Sequence, residues 1–101
     1  MILTTTNSIE NYKIIKYAGI VSGTAVDVQK MTMTFNMQKY YAGITESIDE
    51  VRNAALEQLK INAEKMSANA VVGINIDIEM KSADNTIIVS VTGTAVNITN
   101  S

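Results

Sequence analysis

The stretch VVGINIDIEM, residues 71–80, sets Ile74, Ile76, Ile78 and Met80 in alternation with Asn75, Asp77 and Glu79. A period of two is the mark of a strand with one dry face and one wet face. The alternation also poses the functional question, because Asn75, Asp77 and Glu79 are three oxygen donors in one row.

The residues that follow fix the partner of this strand. Lys81-Ser82-Ala83-Asp84-Asn85 is a short polar junction of the kind that closes a hairpin, and residues 86–98 resume a strand pattern. In that last strand Ile87, Val89, Val91 and Ala95 share a face with Gly93, while Ser90, Thr92 and Thr94 share the other. An antiparallel register whose partner numbers sum to an odd value, such as about 165 or 167, sets Asn75, Asp77 and Glu79 beside Ser90 and Thr92. The same register turns the isoleucines toward whatever covers the sheet.

Upstream lies a helix to do the covering. Ile48, Val51, Ala55, Leu59, Ala63 and Met66 recur at spacings of three and four, which stacks them in one stripe. Asp49, Asn53, Glu57, Lys60 and Glu64 fall on the opposite side, with Ile61 a lone apolar residue among them. Ser47-Ile48-Asp49-Glu50 has the capping-box pattern that marks a helix start. Before it, residues 12–28, YKIIKYAGIVSGTAVDV, read as a long strand bent or bulged at Gly19 and Gly23, apolar on both parities and with neither face fully exposed. Residues 29–44 suit either a strand, through Met31, Met33, Phe35 and Met37, or a helical turn.

These elements compose one α+β domain over residues 1–101: strand, helix, strand, strand, with the helix on one face of an antiparallel sheet. The polar row then lies on the face away from the helix. The chain is 47% hydrophobic and only 18% charged. A body of this size has room for one small core, so the apolar excess points to burial by self-association.

Composition also excludes several activities. Histidine and cysteine are absent, which removes imidazole ligands, His-based proton transfer, thiol nucleophiles and disulfides. The net charge of −2 brings no basic stripe for nucleic acid, and no apolar run approaches a membrane span. A soluble, cytoplasmic protein without nucleic-acid or membrane partners is expected. Tyr12 and Lys16 have a spacing used by some dehydrogenases on a helix, but in a strand they stand about 13 Å apart.

Two clusters remain as metal candidates. Asn75, Asp77 and Glu79 offer oxygen to a hard cation, and Met31, Met33 and Met37 offer thioethers to a soft one such as Cu(I). In-line side chains on one strand do not surround an ion, and methionines fill apolar gaps, so packing is the favoured reading of both. No catalytic residue and no cofactor are called for.

Three segments together resemble one family. They are Tyr17-Ala18-Gly19-Ile20-Val21-Ser22-Gly23, then Ala68-Asn69-Ala70-Val71-Val72-Gly73-Ile74-Asn75-Ile76-Asp77, and Val89-Ser90-Val91-Thr92-Gly93-Thr94-Ala95-Val96. They are similar to the YbjQ-like family of small bacterial proteins, which carries a heavy-metal-binding label, and the likeness spans nearly the whole chain. It implies a two-layer, dodecin-like subunit with sheet order 1-3-2, assembled as a homopentameric ring with extra short strands at the contacts. Together with the apolar excess it implies a non-enzymatic ring, with a small ligand in a central or intersubunit cavity as a further expectation. Three positions depart toward neutrality: Thr24 in Gly-Thr-Ala, Asn69, and Asn75 stand where the family pattern has acids. A Gly-Gly-Arg-Ser-like segment of many members is missing between Ile44 and Ser47.

Overall fold

The computed structural model describes residues 1–28, 37–81, 83 and 85–101. In chain order it forms β1 (Ile2–Leu3), β2 (Tyr12–Val28), α1 (Met37–Lys65), β3 (Ala70–Lys81) and β4 (Thr86–Asn100). One four-stranded sheet has the order β1-β3-β4-β2. Its three long strands pair antiparallel in the expected sequence, β4 standing between β2 and β3. The sheet is nevertheless mixed, because β1 joins the outer edge of β3 in parallel. Ile2-Leu3-Thr4 is β-prone but too short to show an alternation. Its pairing continues where the Gly73 and Ile74 amides donate to the carbonyls of Thr6 and Thr4 at 2.8 and 3.1 Å.

The register from Asn75↔Thr92 through Asp77↔Ser90 to Lys81↔Thr86 sums to 167, one of the two expected values. A bulge interrupts it between Val72 and Asn75, and Gly73 sits there with φ +62°. Before the bulge the pairs sum to 166, as in Ala70↔Val96. The odd residue exchanges the faces: Ala70 and Val72 point away from the helix, whereas Ile74, Ile76, Ile78 and Met80 point toward its side.

Two cores result, on opposite faces. On the helix side Val51, Ala55, Leu59 and Ala63 meet Val21, Val71, Ile74, Ile87, Val89, Val91 and Ala95. On the other face Ala70, Val72, Val96 and Ile98 are covered by Ile2, Ile9 and Ile14, so the N-terminal segment closes what the helix cannot reach. α1 lies over β2 and β4 and barely touches β3. It packs closely at Gly23, where an added Cβ would strike the Ala55 carbonyl oxygen and come within 2.6 Å of the Leu59 nitrogen.

Several local expectations need correction. α1 begins at Met37, ten residues before Ser47, so Ser47-Ile48-Asp49-Glu50 is helix interior and not a cap. Met37, Gln38, Lys39 and Ala42 are good helix formers and carry the helix upstream past Gly43. Asp49 instead pairs along the surface with Arg52 at 3.1 Å. Met31 and Met33 lie outside the described residues. The bulges of β2 fall at 14–16 and 17–19, so Gly19 adjoins one whereas Gly23 serves close packing.

The helix ends where the sequence changes task. Ser67 adopts φ +61°, its amide donates to the Glu64 carbonyl at 2.9 Å, and the Ala68 amide donates to Ala63 at 3.1 Å. This is a Schellman closure with serine in the usual glycine position. Asn69 then extends the β3–β4 ladder with its side chain: Oδ1 accepts from the Ile98 amide at 2.8 Å and Nδ2 donates to the Ile98 carbonyl at 3.0 Å. An aspartate at this position could only accept, so the neutral residue suits the ladder.

Replacing Gly23 by alanine forces α1 off the sheet. The expected result is a loss of about 2–3 kcal/mol of stability in urea unfolding, with an unchanged m-value.

Candidate functional site

The flanks of the sheet hold the candidate residues, and each flank presents two faces. On β3 the face away from α1 carries Asn75, Asp77 and Glu79, all exposed. Asn75 stands opposite Thr92 and then Ser22, and Asp77 stands opposite Ser90 and then Thr24. The row therefore continues into hydroxyls across three strands. Glu79 instead meets Ile88 and then Val26, where the face turns apolar.

This arrangement does not enclose an ion. Among the described residues no three His, Cys, Asp or Glu side chains lie together as a metal would require. The two carboxylates follow one strand and face solvent, a geometry that leaves most of a cation's coordination sphere to water. Met37 opens α1, and Met31 and Met33 lie outside the described residues.

The other face of the same flank was expected to be dry. Ile76, Ile78 and Met80 do lie on the helix side, opposite the buried Val91, Val89 and Ile87. Yet they remain 37%, 41% and 53% exposed, because α1 runs over β2 and β4. On β2 neither face is fully exposed, as expected, since Ile14 packs against the second core on the face away from α1, but much of that face is open. Val21 and Gly23 are buried under the helix, whereas Tyr17, Ile20 and Val26 on the opposite face are open, Ile20 at 85%. The signal was present in the sequence as apolar residues on both parities, one set of which the described residues leave uncovered.

The molecule is correspondingly extended. Its radius of gyration is 16.7 Å, against about 13 Å for a compact chain of this length. Its accessible surface is 6777 Å² at 11.0 kDa, against about 5,600 Å² for a typical monomer of that mass. No helix among the described residues is long and apolar enough to cross a membrane.

Comparison with known proteins places this geometry in a group. The YbjQ profile, described as "Putative heavy-metal-binding", matches residues 1–99. A UPF0145 protein of Clostridium kluyveri is 39% identical over 95% of this chain and 97% of its own length. UPF0145 proteins of Acetivibrio thermocellus and Bifidobacterium longum are 34% and 36% identical, over 95% and 97% of this chain and 97% and 96% of their own lengths. A crystal structure of a protein of unknown function in the DUF74 family, from Pediococcus pentosaceus, superposes with a TM-score of 0.72 over 98% of both chains at 20% identity. That structural likeness concerns the fold.

The exposed carboxylates give a direct test of cation binding. The variant Asp77→Asn with Glu79→Gln is expected to shift stability by less than about 0.5 kcal/mol. The addition of millimolar Ca²⁺ or Mg²⁺ is expected to leave the urea midpoints of parent and variant equally placed. A cation-dependent rise confined to the parent would establish a site there.

Proposed function

The chain belongs to the YbjQ family, and on that footing we propose that it is a non-enzymatic protein that assembles with copies of itself into a closed ring of five subunits. The observation that carries this reading is the uncovered surface. The chain exposes about 1,200 Å² more than a compact monomer of its mass, compared with about 800 Å² per partner in a standard interface. Large apolar side chains stand exposed on both flanks: Ile15, Tyr17, Ile20 and Val26 on β2, and Ile76, Ile78 and Met80 on β3. Different surfaces at opposite ends of a sheet suit head-to-tail contacts, which close into rings when the rotation per step permits. The subunit number rests on the resemblance of the sequence segments.

Metal binding is the second reading, and the family description is what favours it. In a ring, Asp77 and Glu79 would repeat in every subunit, and a coordination sphere that one chain cannot supply could be shared among several. Enzymatic activity has no motif behind it: histidine and cysteine are absent, and in the register Asp77 meets only the hydroxyl residues Ser90 and Thr24 while Glu79 meets Ile88.

Native mass spectrometry of protein purified without chelator reads assembly and ligand together. The expected species has five times the 11.0 kDa chain mass. A single-chain mass at micromolar concentration would overturn the assembly reading. A stoichiometric metal adduct on the intact ring would promote the second reading above a purely structural one.

A further inference from the structure

Each flank of the sheet bares large apolar side chains on one face and carries charged side chains on the other, and the two flanks are inverted relative to each other. On β2 the face away from α1 carries Tyr17, Ile20 and Val26, with the small hydroxyl residues Ser22 and Thr24 between the last two, whereas Lys13 and Lys16 stand in register with Thr99 and Asn97 on the helix side. On β3 the helix side carries Ile76, Ile78 and Met80, whereas Asp77 and Glu79 occupy the face away from it.

The inversion discriminates between two ways of joining copies. If the sheet simply continued from β2 of one subunit into β3 of the next, Ile20 and Val26 would share a face with the carboxylates of Asp77 and Glu79. If instead the outer face of one β2 laps over the helix side of the next β3, apolar meets apolar and all four charged residues stay in water. Burial of apolar area and the cost of desolvating charge both favour the lapped contact.

We propose that the docking surface is a head-to-tail lap joint between copies of this chain, in which Tyr17, Ile20 and Val26 of one subunit cover Ile76, Ile78 and Met80 of the next. The inference rests on the self-assembly reading and names its surfaces. The occupant is a second copy because each flank bares large apolar side chains on the face opposite to the other's, and the surplus area is that of an ordinary interface. Charge points the same way. β2 holds Lys13 and Lys16 against Asp27, and β3 holds Asp77 and Glu79 against Lys81, so like flanks repel and unlike flanks attract.

Complementary variants test the joint. Ile20→Asp spoils the β2 row and leaves the β3 row intact, and Ile78→Asp does the reverse. Both positions are outside the buried core, and circular dichroism verifies that each variant is folded. Each variant alone is expected to run as a single chain, and an equimolar mixture is expected to form a heterodimer that grows no further, since one good joint remains and no second can form. Met80→Asp, at a more exposed position, replaces Ile78→Asp if that variant fails to fold. Retention of the parent assembly by either variant overturns the proposal, as does a mixture that stays monomeric while the parent protein assembles. A monomeric parent would overturn the assembly reading itself, so the two failures are distinguishable.

Discussion

At Gly73 the backbone takes φ +62° and one strand of a pair gains a residue over its partner. Much of the rest depends on that bulge. It lets Ala70 and Val72 join the core under the N-terminal segment while Ile74, three residues beyond Val71, joins Val71 in the core under the helix. It also sends Asp77 and Glu79 to the face away from α1 and Ile76, Ile78 and Met80 to the side of α1. Without it, a continuous alternation from Ala70 would carry the carboxylates to the helix side. A residue with a Cβ at this position would be strained by its backbone alone.

A second constraint decides how much of the helix side is covered. Gly23 lets α1 settle against the β2 backbone, and Ala55 and Ala63 keep the stripe thin enough for close contact. A helix seated there spans two strands and leaves β3 beyond Asn75 uncovered. The N-terminal segment covers part of the opposite face and leaves the outer face of β2 open. Among the described residues the subunit therefore has two cores and exposed apolar side chains on both flanks of the sheet.

Much of this was legible in the sequence. The period of two placed the strands 12–28, 70–80 and 86–98 within three residues of their observed ends, and an odd register sum followed from asking which pairing joins like faces, the observed 167 being one of the two values that fit. β1 was missed because Ile2-Leu3 is shorter than one alternation, and its role exists only beside the Gly73 bulge. The start of α1 was misplaced because a capping-box spacing can also occur inside a helix, where Ser47 and Glu50 are one turn apart. The candidate site was half legible. Asn75, Asp77 and Glu79 form the exposed row expected of them, but spacing along one strand carries no information about convergence from other strands. The exposure of Ile76, Ile78 and Met80 depends on where the helix axis falls, which the pattern of the strand alone does not encode.

The central claim is that the row bared on β3 meets the row bared on β2 of another copy. Because the chain contains no cysteine, a variant carrying both Ile20→Cys and Ile78→Cys offers thiols at those two positions alone. Treatment with a short bis-maleimide and denaturing electrophoresis then reads which surfaces meet. The account predicts a ladder of covalent multimers from the double variant and no multimers from either single variant. Dimers from a single variant would show that like flanks join, and a double variant that remains one chain while the assembly is intact would contradict the account.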